Sequence, residues 1–368
     1  MENRTLNIIS FDVPSPPDYG GVIDVYYKIK ALKAAGIKII LHAFSKGRNV
    51  DHNLESICEE IFIYKRKEGL SSVLSTIPYI VKSRSDKDLI NNLNKNPYPI
   101  LFEGLHSCYL LNHPSLSSRK KIVRMHNIEP HYYWNLFKSA KDLKEKIFFY
   151  TESAKLYVFE KNLAAADYIL TISKQENEYY KKVFPSKKLI TVNPFSDFNF
   201  RCKPGVGKYL LYHGNLSVPE NIRSIEYLLP NLTEISFPLI ITGKDPTDQF
   251  KKFCSKFPFA ELIPDPDQET LYRLIENAHI HLLYSVPGTG VKLKLINSLL
   301  WGRHCLSDAL TAQQTGIPEA LEISDGDISK KISELMTIPF TEEMINKRKD
   351  LMKDLDPEIG AAKILKLL

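Results

Sequence analysis

Short apolar runs alternate with helical patterns from the first residues of the chain. Apolar residues fill 6–11, recur at helical spacing over 23–35 until Gly36, and form a second run over 37–44. An apolar run of this length, bounded by a loop and followed by an amphipathic helix, is typical of a buried parallel strand. The chain therefore opens with a strand–helix–strand unit of an α/β domain.

The same alternation returns after a break and predicts a second α/β domain. Its strands are expected at 209–213, 239–242, 260–263 and 280–284, and its helices at 222–229, at 268–277 and before Gly302. Strands joined by helices in this way predict a parallel sheet with helices on both faces. The intervening stretch, 193–207, is rich in Pro, Gly, Asn and Ser, as interdomain linkers are.

Two domains follow from this division, residues 1–192 and residues 193–351. The last stretch, 341–368, is charged and helical, and its apolar end at 364–368 needs a surface to cover it. We expect the final helix, about 352–368, to pack its apolar end against another part of the chain. The length of 368 residues also exceeds what a single core usually organises.

The composition is that of an ordinary globular protein, with 43% hydrophobic and 25% charged residues. No apolar run approaches the roughly 20 residues that cross a bilayer, and the polar N-terminus lacks the apolar region of a signal peptide. We therefore expect a cytoplasmic protein. The five cysteines are far apart and never form C-x-x-C, so the pattern suggests neither a zinc site nor a disulfide framework.

The net charge of +6 is unevenly distributed. Residues 1–185 carry 27 basic against 20 acidic side chains, and the remainder carries 22 against 23. Such a split favours attraction of the first domain to an anionic substrate or surface, such as the inner face of a membrane; a solvated face without a partner is the alternative. The basic residues 65–67, Lys82 and Arg84 and the aromatic and basic stretch 132–155 would meet an anionic leaflet.

The first loop, 14–21, ends in Gly20 and Gly21 directly before a helix. Backbone without side chains can approach a ligand, and helix N–H groups point at an anion, so the loop predicts a phosphate or acceptor contact. A tight turn without a ligand explains the pattern equally well. The dinucleotide fingerprint G-x-G-x-x-G is absent, which argues against a dehydrogenase.

Polar side chains crowd the exit of a strand in the first domain, where Arg124, His126, Asn127 and Glu129 follow the apolar pair at 122–123. A strand that runs into such polar density usually lines a site, although a single histidine is more often structural. We place His126 in the site and leave its role open, because a histidine can contact the donor sugar, orient the acceptor or take its proton. Glu129 is a weaker candidate, for an acceptor contact or for helix capping.

The second domain contains the most specific pattern, a glycine-bounded loop over 288–297 that opens a helix. Helix N–H groups make an anion site there, and a lysine in the first turn adds a positive charge. Lys294 and Asn297 are three residues apart and can share a helix face, whereas Lys292 and Lys294 cannot. We therefore assign Lys294 to a phosphate and Asn297 to a ribose hydroxyl; two solvated lysines are the alternative.

With these motifs the chain resembles glycosyltransferase family 4 over nearly its whole length. The resemblance rests on Gly20–Gly21, 124–129, 212–216 with Asn221, the Gly243 turn and 288–297. It implies the GT-B fold, in which two Rossmann-like, doubly wound domains face each other across a cleft and a C-terminal helix crosses back to the first domain. It also implies retaining hexosyl transfer from a nucleoside-diphosphate sugar to a glycan or lipid-linked acceptor, in the assembly of surface polysaccharide or another glycoconjugate.

The resemblance assigns the first domain to the acceptor and the second to the nucleotide sugar. The implied catalytic residues are His126, Lys294 and Glu129, and the implied acceptor contacts are Asp24 and Arg124. The implied donor contacts are Gly20, Gly21, Gly214, Asn215, Gly243, Gly288, Thr289, Gly290, Lys292 and Asn297. Neither a metal nor a cofactor is expected, because lysines and helix ends stabilise the leaving diphosphate instead.

The chain departs from the family pattern at two places. Asn215 stands where many members carry an arginine that grips the diphosphate, and Thr289 and Asn297 stand where the family has two glutamates. A hydrogen bond without charge is about half as strong as a charge-assisted one. Two alternatives are therefore a GT-B nucleotide-sugar epimerase and a catalytically silent protein that binds a nucleotide sugar or a glycan.

Overall fold

The computed structural model describes residues 4–284, 293–313, 315–324 and 326–368, with all of their side chains except those of Leu293 and Lys294. The chain divides into two compact units. Unit 1 comprises Met1–Asp197 and Asp354–Leu368, and unit 2 comprises Phe198–Lys353. Each unit has a parallel sheet of its own.

Unit 1 is built on a seven-stranded parallel sheet with the order β3-β2-β1-β4-β5-β6-β7 among the described residues. The strands are β1 (Thr5–Ser10), β2 (Lys38–Ser45), β3 (Glu60–Lys65), β4 (Ile100–Glu103), β5 (Lys121–Arg124), β6 (Tyr168–Thr171) and β7 (Lys188–Thr191). The strand order reverses between β1 and β4. Ligands of open parallel sheets bind beyond the carboxyl ends of the strands at such a point.

Helices connect these strands. They are α1 (Gly20–Ala34), α2 (His52–Ile57), α3 (Leu70–Val73), α4 (Tyr79–Lys82), α5 (Lys87–Leu93), α6 (Glu129–Ser139), α7 (Leu143–Phe159) and α8 (Lys174–Val183). Short polar side chains cap several of them: Asp142 accepts from the first backbone N–H groups of α7, and Ser173 does so at α8. Tyr19, which precedes α1, makes no such bond. The first backbone N–H groups of α1 therefore donate no hydrogen bond to the Tyr19 side chain.

Successive residues of each strand enter two cores, as the period of two along a strand requires. Ile9, Phe102 and Val123 belong to one core. Ile8 and Leu101, which pair across β1 and β4, belong to the other. The near-continuous apolar runs of the sequence therefore reflect strands that are buried on both faces.

Unit 2 has a six-stranded parallel sheet with the order β10-β9-β8-β11-β12-β13 in the part of the chain that the structure describes. Its strands are β8 (Leu210–His213), β9 (Leu239–Gly243), β10 (Ala260–Pro264), β11 (Ile280–Leu282), β12 (His304–Ser307) and β13 (Glu322–Ile323). Its helices are α9 (Pro219–Asn231), α10 (Asp248–Cys254), α11 (Gln268–Asn277), α12 (Leu293–Trp301), α13 (Ala309–Gln313), α14 (Ile328–Met336) and α15 (Glu342–Met352). The strand order reverses between β8 and β11, which marks the expected site of this unit.

The last helix, α16 (Pro357–Leu365), belongs to unit 1. Ala361 and Ile364 join the core that contains Ile8, followed by Leu367. Gly360 permits this packing, because a Cβ at that position would lie 2.7 Å from the ring of Phe195. The prediction that the C-terminal helix returns to the first domain is confirmed.

The predicted linker at 193–207 is divided between the two units. Phe195 is buried in the unit 1 core, and its backbone N–H donates to Asp24 Oδ1 at 2.7 Å. Gly205 forms a β-bridge with Phe340 inside unit 2. The division therefore follows Asp197. Loop composition indicated a connection but could not indicate which core each part of it joins.

Candidate active site

A buried cluster of charged side chains lies at the carboxyl ends of β4 and β5 in unit 1. At its centre Lys28 of α1 donates to both carboxylate oxygens of Glu103, each at 2.7 Å, and to Asp24 Oδ2 at 2.9 Å. Asp24 and Lys28 are one helical turn apart, so both project from the face of α1 that is buried with Val25. Glu103 is the last residue of β4.

Arg124, the last residue of β5, holds Asp24 through two hydrogen bonds. Its Nε donates to Oδ2 at 3.0 Å and its Nη2 to Oδ1 at 2.9 Å, while Nη1 donates to the carbonyl of Val192 at 2.9 Å. Such a bidentate pair is strong and fixed in geometry. The sequence assigned Asp24 and Arg124 to acceptor contacts. In the structure both side chains are buried and bonded to each other.

In this cluster the neighbouring positive charges lower the pKa values of the two carboxyl groups by more than burial raises them. Burial alone would raise the pKa of Asp24, but Arg124 and Lys28 hold that pKa well below its usual range. Burial would likewise raise the pKa of Glu103, but Lys28 and the hydrogen bond from His126 hold it below its ordinary value. Both carboxylates are therefore ionised beside their cations.

His126 connects the cluster to the surface. Its Nε2 lies 2.9 Å from Glu103 Oε2 and its Nδ1 lies 3.8 Å from Asp24 Oδ2, and 11% of its side chain is exposed. We assign the proton to Nε2, because the ionised Glu103 can only accept. Nδ1, 3.8 Å from Asp24 Oδ2, is then the ring nitrogen that carries the lone pair.

Gly104 turns the chain sharply beside this histidine. Its φ is +69°, and a Cβ there would lie 3.0 Å from His106 Nδ1 and 3.4 Å from His126 Cδ2. Only glycine adopts this conformation at no steric cost. The ring of Phe11 packs against both imidazoles, at centroid distances of 5.3 Å to His106 and 5.4 Å to His126. The turn and the phenyl ring together fix both histidines.

The two glycines of the first loop differ in what they permit. A Cβ at Gly21 would lie 2.7 Å from the ring of Phe11, whereas nothing lies within 4 Å of a Cβ at Gly20. Gly21 therefore allows α1 to approach Phe11 beside His126. Gly20, the first residue of α1, leaves open space in front of that helix. Both remain predicted donor contacts.

Glu129, at the start of α6, lies beside His106 in the interior. Its Oε1 is 3.8 Å from His106 Nδ1, and both atoms are buried without a hydrogen-bond partner among the described residues. Burial raises the pKa of Glu129 to about 8. Burial, together with the charge of Arg84, lowers the pKa of His106 well below its ordinary value. Near neutral pH the pair is therefore an uncharged carboxylic acid beside an uncharged imidazole.

This raised pKa predicts a pH-dependent advantage for Glu129→Gln. The folded protein keeps Glu129 protonated up to about pH 8, whereas the unfolded chain ionises it above about pH 4.5. Wild-type stability therefore falls across that window, and the variant escapes the loss. We expect the variant to gain, relative to wild type, on the order of 3 kcal/mol between pH 5 and pH 8. Urea unfolding at several pH values measures this; the exposed Glu178→Gln should show no such trend.

Asp24, Glu103 and His126 also bring three potential metal-ligand atoms within 4.8 Å of one another. However, the ammonium of Lys28 bonds both carboxylates at hydrogen-bond distance. A divalent cation at the same point would face this fixed positive charge. The residues present therefore do not fit a metal, and Lys28 supplies a positive charge in its place.

The strand ends of unit 2 carry two glycines that the sequence assigned to the donor. Gly214 follows β8 and Gly243 ends β9, and a Cβ on Gly243 would overlap the carbonyl oxygen of Gly214. Asn221 packs against Gly214, and its Nδ2 donates to the carbonyl of Asn215 at 2.8 Å. The Asn215 side chain in turn accepts from the backbone N–H of Ser217 at 2.9 Å. The side-chain amides of Asn215 and Asn221 thus stabilise the loop after β8.

The overlap predicts that Gly243→Ala destabilises unit 2. Backbone must move to admit the methyl group, because the clash is with a main-chain oxygen. We expect a loss on the order of 3 kcal/mol or more in the free energy of unfolding. Gly326→Ala is the matched control in the same unit, because nothing lies within 4 Å of a Cβ there. Equal melting temperatures for the two variants would contradict the close approach of β8 and β9.

The other predicted donor residues lie on or before α12. Asn297 is half-buried on that helix, and the neighbouring Ser298 lies 2.9 Å, Oγ to Nε2, from His213 at the end of β8. Lys294 is in the first turn of α12, as predicted, although its side chain is outside the description. Gly288, Thr289, Gly290 and Lys292 lie outside the described residues.

Three residues at this end of the unit 1 sheet were not predicted from the sequence: Glu103 and Lys28 of the charged cluster, and His106 beside it. Glu103 follows the apolar run 100–102 and precedes Gly104, which is the same strand-exit signal that pointed to Arg124. Lys28 is four residues after Asp24 on the apolar face of α1, where a charge needs a partner. His106 carried no comparable signal, because only the fold brings it to Glu129.

No protein-family model matches the chain. An uncharacterized 44.6 kDa protein in the cps region of Klebsiella pneumoniae is 25% identical over 368 residues, covering 90% of this chain and 93% of its own length. In the described residues no helix combines the length and apolar content needed to cross a membrane.

Several solved structures share the whole architecture. Sucrose-phosphate synthase from Thermosynechococcus elongatus matches with a TM-score of 0.68 and 15% identity over 99% of this chain and 98% of its own. The pneumococcal O-GlcNAc transferase GtfA, in complex with UDP and GlcNAc, has a TM-score of 0.64 and 10% identity over 100% of this chain and 98% of its own. TarM has a TM-score of 0.64 and 9% identity over 99% of this chain and 98% of its own. These neighbours are GT-B glycosyltransferases. The fold is GT-B.

Units 1 and 2 are thus the two Rossmann-like domains of a GT-B protein, and the predicted fold class is confirmed. Identities of 9–15% establish this fold alone. Membership of family 4 stays a prediction, as do the roles of the site residues.

Proposed function

We propose that this GT-B protein is a retaining, metal-independent glycosyltransferase that moves a sugar from a nucleoside-diphosphate sugar to a glycan or lipid-linked acceptor. One observation carries the proposal: the strand ends of unit 1 present His126 from a buried, fully ionised cluster. The neighbours support the reaction class, since GtfA is an O-GlcNAc transferase in complex with UDP. The cps region of the curated relative supports a role in polysaccharide assembly.

Unit 2 holds the nucleotide sugar in this proposal. The closely packed glycines Gly214 and Gly243 let the backbone of two strand ends approach a ligand. In this proposal the diphosphate binds at the N-terminus of α12, where helix N–H groups favour negative charge, and Lys294 adds a positive charge. As the sugar–phosphate bond breaks, its electron pair goes to the diphosphate oxygen. The same groups stabilise that charge more strongly than they bind the ground state.

Unit 1 supplies His126 to the acceptor side of the reaction. Glu103 orients its ring through the hydrogen bond at Nε2, as the partner of a catalytic histidine does. Lys28 provides the fixed cation that makes a divalent metal unnecessary in this cluster. The acceptor oxygen forms the new bond to the anomeric carbon, and its proton leaves to the diphosphate or to His126.

Incubation with a panel of sugar nucleotides in EDTA tests the function. Release of nucleoside diphosphate that depends on an acceptor, with the anomeric configuration retained, is the expected result. A changed sugar without an acceptor would establish an epimerase instead. Binding without turnover would establish a silent nucleotide-sugar protein, which the absence of carboxylates at Thr289 and Asn297 favours. Activity that returns only with manganese would contradict metal independence.

Lys294→Ala is expected to lower turnover by about 30-fold to 1,000-fold, equivalent to about 2 to 4 kcal/mol of transition-state stabilisation. The reason is the loss of a charge-assisted contact to the leaving diphosphate. Lys292→Ala should cost less and serves as the control, because residues two apart in sequence do not share a helix face with each other. Steady-state kinetics of both variants, with melting temperatures measured in parallel, decide the point. Unchanged kinetics of the Lys294 variant would remove this residue from the site.

A further inference from the structure

Helix α7 of unit 1 carries an apolar stripe that is more than half exposed in the described structure. Leu143, Ile147 and Tyr150 are 70%, 58% and 53% exposed, and Tyr157 is exposed farther along. Their spacing places them on one face of the helix, since residues seven apart lie nearly above one another. The opposite face already buries Leu156 in the core. Helix α7 is therefore apolar on two faces, one of which points outward.

Exposed apolar residues also lie on two elements that contact α7. Trp134 and Phe137 of α6 pack on Tyr150, at ring-centroid distances of 6.1 Å and 5.6 Å, and Trp134 is exposed. Lys155 of α7 donates to the carbonyl of Val73 at 2.8 Å, which joins α7 to α3. On α3 both Leu70 and the adjoining Leu74 are exposed. We call Leu70, Leu74, Trp134, Leu143, Ile147, Tyr150 and Tyr157 the apolar surface.

Lysines border both ends of this surface. Lys138, Lys141 and Lys144 lie exposed where α6 passes into α7, and Lys161 lies exposed beyond the end of α7. Lys138 Nζ stands 5.8 Å from the centroid of the Trp134 ring. Exposed Leu and Ile residues, aromatic side chains and flanking lysines together are typical of a surface that lies in a bilayer interface. Anionic headgroups complement the lysines.

A basic cavity of about 990 Å³ adjoins the same region at the ends of β2 and β3. Lys46, Lys65, Arg66 and Lys67 line it, against the acidic Glu68 and Asp86. Arg66 Nε is buried without a hydrogen-bond partner among the described residues. Ser71 of α3 also lines the cavity, so one short helix connects it to the exposed Leu70 and Leu74.

We propose that the apolar surface docks unit 1 on an anionic lipid bilayer and that the basic cavity receives a headgroup phosphate. A second copy of the chain is a poorer occupant. Lys138, Lys141 and Lys144 stand at one end of the stripe and Lys161 at the other, so parallel or antiparallel pairing of two stripes brings lysines together. Like charges in contact oppose association. Docking does not depend on the proposed transfer reaction.

Flotation of the full chain with vesicles tests the proposal. The protein should float with vesicles that contain phosphatidylglycerol, remain unbound with pure phosphatidylcholine, and be released by salt, because exposed charges are screened. The triple variant Leu143→Ser/Ile147→Ser/Tyr150→Ser should lose binding by about 10-fold or more. Tyr227→Ser, an equally exposed position on α9 of unit 2, is the matched control. Melting temperatures confirm that each variant is folded.

A second pair of variants separates the cavity from the lysines elsewhere. Lys65→Gln/Lys67→Gln should weaken binding several-fold, at about 1 kcal/mol for each charge near an anionic surface, whereas Lys251→Gln/Lys252→Gln on α10 should not.

Three results would overturn the proposal. One is equal flotation of wild type and triple variant. Another is full displacement from vesicles by soluble glycerol phosphate, which would make the cavity a site for free phosphate. The third is a wild-type dimer that the triple variant dissociates, which would make the surface an interface between copies. None of these results bears on sugar transfer, which is assayed without vesicles.

Discussion

Replacing Lys28 with methionine is expected to lower the free energy of unfolding by about 3 to 5 kcal/mol, because removing one partner of a buried ion pair leaves the other charge uncompensated. Lys28 donates to Asp24 and to both oxygens of Glu103, and all three side chains are buried. Asp24 keeps Arg124 as a partner, so the loss falls mainly on Glu103.

The pH dependence of this loss distinguishes an electrostatic origin from a packing defect. Without the lysine, the pKa of Glu103 should rise, and the carboxyl group can take up a proton in acid. The loss should therefore be smaller near about pH 5 than near about pH 8. Urea unfolding of Lys28→Met is compared with Lys33→Met, an exposed lysine on the same helix. A loss that is the same at both pH values would contradict the ionised cluster.

The architecture could be predicted because strand burial leaves a direct trace in the sequence. Strands covered on both faces read as unbroken apolar runs, as at β1 and β2, and their helices read as amphipathic patterns. The covering of α16 was predicted for the same reason, since Ile364 and Leu367 need a surface. The composition of the linker does not show which unit Phe195 joins. Its place in unit 1 depends on a hydrogen bond from its backbone N–H to Asp24, which is 171 residues away.

The site was predicted in part. His126 and Glu129 stand at the exit of β5, where polar density after an apolar strand is visible. The sequence did not show which residues contact them. Glu103 and His106 lie at the exit of another strand, and Lys28 lies on a helix. The environment of Glu129 could not be predicted either, because burial beside His106 raises its pKa to about 8 and its sequence position does not show that burial.

The prediction with the largest effect on activity concerns His126. We expect His126→Ala to lower the rate of acceptor-dependent transfer by about 100-fold to 10,000-fold, the range in which a positioned acid or base contributes. Folding should change little, because Glu103 keeps both hydrogen bonds from Lys28. His52→Ala, a histidine in unit 1 whose side chain is 94% exposed, is the control.

The most direct test of the account is therefore one rate, nucleoside-diphosphate release in EDTA with donor and acceptor present, measured for wild type and His126→Ala at equal folded concentration. The account predicts rapid release by wild type and a loss of at least about 100-fold in the variant. Equal rates for the two folded proteins would contradict the claim that the charged cluster of unit 1 presents a catalytic histidine.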